Sequence, residues 1–326
     1  MSITHLIPSR SGRAPRPAPA TAGTSTPSEG MRASLKGFWA DAQGYQRLAY
    51  LVGAALIATG LVHAAIWAVA GGSVSGPLSW RKPTTFGLSF GMVTATLGWI
   101  ATYLPTRRPA GWVLSGLLCA STTAEVAWVT LQHARGVPSH FNTATSLDDD
   151  LFTGGGVSIA VTVLVIAVVT VAAFVRTTAP SPMAWAIRSG LVALLAAQLV
   201  GAWMIVHGLS LLETGATPLT RSMSTYGAEG AMKFAHAVPM HAIQVFMVLA
   251  WLLGFSGVHP RRQLALVLMA VAGYAGLFGV VVLRTLDGLA PFDFGVSTLI
   301  YLIPGGLLAA CAVVTVANLY RRQRQV

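Results

Sequence analysis

The chain has 326 residues, of which 54% are hydrophobic and 10% charged, whereas an ordinary soluble domain is roughly a quarter charged. That balance excludes a water-soluble globular fold and indicates an integral membrane protein. The formal net charge of +11 comes without any nucleic-acid-binding motif, so no nucleic-acid partner is expected.

Residues 1–46 are rich in Pro, Ala, Ser, Thr and Arg and hold no apolar run that could serve as the core of a cleavable signal peptide. They are predicted to form a disordered cytoplasmic tail. Residues 47–320 then carry eight segments that meet the spanning criterion of about 20 mainly apolar residues. These are Leu48 to Ala70, Thr85 to Leu104, Trp112 to Gln132, Gly154 to Val175, Ala184 to His207, Ala231 to Leu253, Leu264 to Leu283 and Val296 to Tyr320. Residues 321–326 form a short basic tail. The fold class is therefore all-α: a polytopic membrane bundle of eight transmembrane helices in a lipid bilayer.

The charges alternate between the two ends of these spans. Placing the N-terminus in the cytoplasm assigns 15 Lys and Arg residues and two acids (Glu29, Asp41) to that side, and six bases against seven acids to the other. That is the positive-inside distribution, and it predicts both termini on the cytoplasmic side. On the inner side the connections are short, whereas two outer loops, His133 to Thr153 and Gly208 to Gly230, run to about 20 residues, a length that usually accompanies function.

In the second span Gly87 and Gly91 form a GxxxG, and Gly273, Gly276 and Gly279 thin the seventh. Close helix packing is expected there. Pro239 removes a helical donor in the sixth span, and Pro304 is expected to kink the eighth. Cys119 and Cys311 lie inside spans and offer neither a disulfide framework nor a CxxC metal site.

Four residues with ionisable side chains stand out: His63, Glu125, His236 and His241. An ionisable group in hydrocarbon costs about 2.5 to 3.5 kcal/mol on insertion scales, so it persists where it is paired, bound to a ligand or functional. At about 1.5 Å of rise per residue, all four fall roughly 7 to 15 Å beneath the outer surface. Glu125 is the acid predicted within hydrocarbon, where it needs a partner or a proton, and it is the candidate catalytic group. His236 and His241, five residues apart, are separated by about 140° around an ideal helix and would not chelate one ion as an i, i+4 pair would. A rim of Arg81, Lys82, Arg135, His140 and Lys233, with Gln244 one turn below His241, would suit an anionic lipid headgroup, a phosphate or haem propionates. The alternative for the rim bases is ion pairing with Asp148, Asp149 and Asp150.

Three readings of this site follow. Histidines at similar depth on separate helices point first to a bound haem or divalent metal. Mixed His and carboxylate ligation is the pattern of a metal-dependent membrane hydrolase or transferase. Glu125 and the histidines could instead serve as proton-linked groups of a transporter or sensor, with no prosthetic group. No P-loop, GxSxG, HExxH or CxxCH motif is present in the sequence to favour a better-marked class.

The strings Trp80-Arg81-Lys82-Pro83, Arg135-Gly136-Val137-Pro138-Ser139-His140-Phe141-Asn142 and Ala235-His236-Ala237-Val238-Pro239-Met240-His241-Ala242-Ile243-Gln244 resemble signatures of a family of bacterial multi-pass inner-membrane proteins. The resemblance covers roughly Leu48 to Leu253. It implies a helical fold in the bacterial inner membrane and no particular activity, with Lys82, Arg135, His140, His236, His241 and Gln244 on matching motif positions.

Overall fold

Long apolar segments in hydrocarbon must satisfy their backbone groups internally, which for separate segments means helix. A computed structural model describes residues 26–72, 74, 76–215, 231–289 and 295–325. Among these residues no strand forms, and eight helical spans are long and apolar enough to cross a membrane. A short helix, α1 (Pro27–Ala40), precedes them. The spans are α2 (Gly44–Ala70), α3 (Arg81–Ile100, prolonged by a 3-10 turn over Ala101–Tyr103), α4 (Arg108–Ala134), α5 (Ser146–Arg176) and α6 (Ser181–Glu213). The sixth consists of α7 (Ala231–Met240) and α8 (Ala242–Leu253), and the last two are α9 (Pro260–Leu286) and α10 (Leu302–Gln323). An even number of crossings leaves both ends of the chain on one face, called here the termini face.

Within the tail expected to be disordered over 1–46, α1 shows residues 27–40 to be helical. Thr26 caps it by accepting from the Glu29 amide at 3.3 Å, while the Thr26 amide donates to the Glu29 carboxylate at 2.9 Å, a reciprocal capping box. The Thr26 amide foremost, and then the Thr26 hydroxyl, hold the Glu29 carboxyl below its ordinary range. Residues 27, 30, 31, 34 and 38 recur at helical spacing and form its more buried side. Phe38 meets Trp99 edge-on at 5.2 Å, and the Trp251 indole donates to Ser34 at 3.0 Å. An amphipathic helix thus lies across the termini-face ends of α3 and α8. Residues 1–25, and residues 216–230 of the loop expected over Gly208 to Gly230, lie outside the described residues.

The tightest helix pair is α2 with α3. A Cβ added at Gly87 would lie 2.6 Å from the Gly60 nitrogen, and one at Gly91 would lie 2.6 Å from the Gly53 carbonyl. The GxxxG of α3 therefore meets two glycines of α2, and the backbones touch directly.

The main apolar core fills the half of the bundle nearer the termini, with Ile100, Ile166, Ile187, Leu191, Phe246 and Leu253 among its buried members. A smaller cluster around Val200, Met232 and Val281 lies in the other half. Most of the buried polar side chains discussed below also lie in that second half.

Pro239 breaks the sixth span as expected. The helix stops at Met240, His241 sits in a turn, and the Val238 carbonyl accepts from the Tyr274 hydroxyl of α9 at 2.8 Å and from the His241 amide at 3.3 Å. Neighbouring groups thus satisfy the backbone that the proline frees. Pro304 lies near an irregularity of the eighth span. It stands in the first α-helical turn, directly after a 3-10 helix over Val296–Tyr301, so the span changes helix type beside the proline.

Candidate intramembrane polar site

Glu125 projects from α4 into the seam with α5 and is 3% exposed. The Ser158 hydroxyl of α5 donates to it at 2.6 Å. One turn nearer the termini face on both helices, Ser121 and Thr162 pair at 2.8 Å, and the Thr162 hydroxyl donates to the Ser158 carbonyl at 3.1 Å. On the neighbouring face of α4, Thr122 meets Thr94 of α3 at 3.2 Å. The seam is therefore a run of hydroxyls that ends on one carboxyl. No base pairs with Glu125 among the described residues.

The matched spacing explains the arrangement. Ser121 and Glu125 are i, i+4 on α4, as Ser158 and Thr162 are on α5, so two polar pairs align when the helices pack. Gly155 lets the seam close, because a Cβ there would lie 2.7 Å from the Trp128 indole.

Trp128, one turn beyond Glu125, carries the His140 ring stacked at 4.9 Å. Phe86 meets that imidazole edge-on at 5.7 Å, and Phe152 lies 6.3 Å from it. Phe141 next to it is buried at a φ of 61°, a left-handed conformation that bulky residues rarely adopt. What holds this loop is Asp148. It is 2% exposed and accepts from Arg135 at 2.6 Å, Gln132 at 2.8 Å and Thr145 at 2.7 Å. Of the expected rim bases, Arg135 is thus ion-paired, and Arg81 donates to the Val74 carbonyl at 3.0 Å. Lys82 lies in the first turn of α3, and Lys233 near the start of α7.

The histidines occupy separate seams. His63 lies 6.0 Å from Trp80, whose other neighbour is His133 at 4.1 Å. His236 places Nδ1 2.7 Å from the Ala197 carbonyl of α6, over Gly201, where a Cβ would touch the imidazole at 3.0 Å. His241 faces α3 instead, with Nε2 3.2 Å from the Ser89 hydroxyl, and Gln244 donates to Thr96 at 3.3 Å.

The four ionisable residues therefore each have a different neighbour. Among the described residues no three His, Cys, Asp or Glu side chains converge on a point that could hold a metal ion. Sequence reasoning missed Ser158, Thr162 and Ser121, although their i, i+4 spacing in apolar spans is a readable signal. It also missed the ring packing of Trp128, Phe86 and Phe152 around His140, which depends on which helices are neighbours. Comparison with known proteins finds no matching family model, no matching curated protein and no matching solved structure.

Proposed function

We propose that this chain is a proton-linked transporter or sensor of the bacterial inner membrane, in which Glu125 takes up and releases the proton. The observation that carries the reading is the Glu125–Ser158 pair: a carboxyl inside a membrane span, 3% exposed, with a hydroxyl donor at 2.6 Å and no base paired with it among the described residues. A carboxylate in hydrocarbon needs a counter-charge or a proton, and only the proton is at hand. The Ser121–Thr162 pair continues the polar seam inward, and the imidazole of His140 lies one residue layer away across Trp128. Hydroxyls and imidazoles both donate and accept, so the seam has the chemistry of a relay. Both termini lie in the cytoplasm in this reading, which the charge asymmetry supports. The outer loop His133 to Thr153 then covers the outward end of the seam.

Infrared difference spectra of the purified protein between acidic and alkaline pH test the assignment. A carboxyl C=O band that titrates, vanishes in Glu125→Gln and moves in Ser158→Ala is the expected result. Spectra in which Glu125→Gln leaves every titrating carboxyl band in place would sink it. Proteoliposomes carrying an internal pH dye then separate transport from sensing, because only a transporter shifts the internal pH in a Glu125-dependent way.

A further inference from the structure

On the termini face, the loop between α8 and α9 and the last turns of α10 enclose a recess of roughly 410 Å³. Its basic walls are His259 and Arg262 from one segment and Arg321 and Arg322 from another, and no acid lines it among the described residues. Positive-inside asymmetry explains why bases occur on this face, but not why bases some 60 positions apart in the chain converge on one hollow. Like charges brought together without an acid raise the local potential.

The hollow is built rather than incidental. Gly257 adopts a φ of 71°, and a Cβ there would lie 3.2 Å from Arg322 Cδ, so the turn lets that side chain lie across it. Arg322 is anchored by donating to the Phe255 carbonyl at 3.0 Å. The guanidinium groups of Arg262 and Arg321 form no hydrogen bond or ion pair among the described residues, and both side chains are exposed. Two rigid donor forks thus border an open volume of ligand size.

We infer that this recess binds a phosphoryl group, supplied either by the headgroup of an anionic phospholipid or by a free phosphate compound. Basic pockets beside transmembrane helix ends are suited to anionic headgroups, and arginine forks match phosphate oxygens in pairs. The inference is independent of the proton reading, since no residue is shared between the two sites.

The test uses the full chain in detergent micelles, titrated with short-chain phosphatidylglycerol or phosphatidylcholine and followed by native mass spectrometry, with inorganic phosphate as competitor. Arg262→Gln with Arg321→Gln is expected to weaken phosphatidylglycerol binding by about ten-fold or more, while the double lysine variant keeps most of it. Arg107→Gln with Arg176→Gln removes two charges from the same face outside the recess and is expected to change binding by less than roughly two-fold. Displacement by inorganic phosphate supports a free phosphate compound as the source, and resistance to displacement supports the lipid headgroup. Equal loss in both glutamine pairs, or equal binding of the two lipids by the unmodified protein, would overturn the inference.

Discussion

Ser158 of α5 donates a 2.6 Å hydrogen bond to Glu125 of α4, joining two spans through a carboxyl that has no basic partner among the described residues. Deleting the hydroxyl in Ser158→Ala leaves the carboxyl without its donor. Intramembrane hydrogen bonds between side chains are worth about 0.6 kcal/mol on average, and orphaning a buried acceptor costs about 1 to 3 kcal/mol, so a loss of about 1 to 2 kcal/mol is expected. Glu125→Gln keeps an acceptor and is expected to unfold close to the unmodified protein. A double-mutant cycle on these residues, read by unfolding in micelles, checks the coupling; a value near zero means the contact contributes nothing.

Asp148 and Arg135 form an unequal pair. Asp148 is almost fully buried and gathers three donors, whereas the Arg135 side chain is 31% exposed. Arg135→Ala leaves Asp148 two donors, Gln132 and Thr145, and is expected to cost no more than about 1 to 2 kcal/mol, because water screens the arginine. Asp148→Ala strands the fully buried Gln132 amide, whereas water can serve the exposed Thr145 hydroxyl, and it is expected to be the more destabilising of the two. Limited proteolysis of the loop between α4 and α5 reports the same order, with Asp148→Ala cut first. Equal effects of the two variants would show that the ion pair, not the buried hydrogen-bonded hub, holds the loop.

At Phe141 two opposing effects can be weighed. Its φ of 61° strains a non-glycine backbone by about 1 to 2 kcal/mol, which Phe141→Gly would relieve. The ring is also buried, 5.3 Å from Phe152, and removing a buried aromatic costs about 3 to 5 kcal/mol. The packing term is the larger, so Phe141→Gly is expected to destabilise by about 1 to 4 kcal/mol net. Thermal unfolding decides the sign. A more stable variant would mean the ring contributes less than its strain.

The spans, and most of their ends, were readable because hydropathy and length report directly on the hydrocarbon thickness. The Pro239 break was readable because proline removes a donor wherever it stands in a helix interior. Pro304 was harder to read, because its effect depends on where the 3-10 helix gives way to α-helix, and nothing local marks Leu302 as that point. α1 was misread for a related reason: its apolar positions are few, and its order depends on Trp99 and Trp251, which are distant in sequence. The site shows the same division. Depth follows from counting along each helix, and that count is what grouped Glu125 with the histidines. Lateral neighbours follow from packing, so the separation of His236 toward α6 from His241 toward α3 could not be counted out in advance.

The glycines of α2 and α3 offer the sharpest contrast between sites of one residue type. At Gly91 a methyl group would meet the Gly53 carbonyl at 2.6 Å, and backbone cannot step aside as a flexible side chain can. Gly91→Ala is therefore expected to destabilise by about 1 to 3 kcal/mol, the range for overpacking. At Gly116 of α4 nothing lies within 4 Å of the same added atom. There the substitution only removes the conformational freedom of glycine in a helix, so Gly116→Ala is expected to stabilise by about 0.5 to 1 kcal/mol. Unfolding temperatures of the two variants in the same micelles should thus move in opposite directions. Matching shifts would mean that the close approach of α2 to α3 does not limit stability, and with it that direct backbone contact is not what fixes α3 in position to present Ser89 to His241.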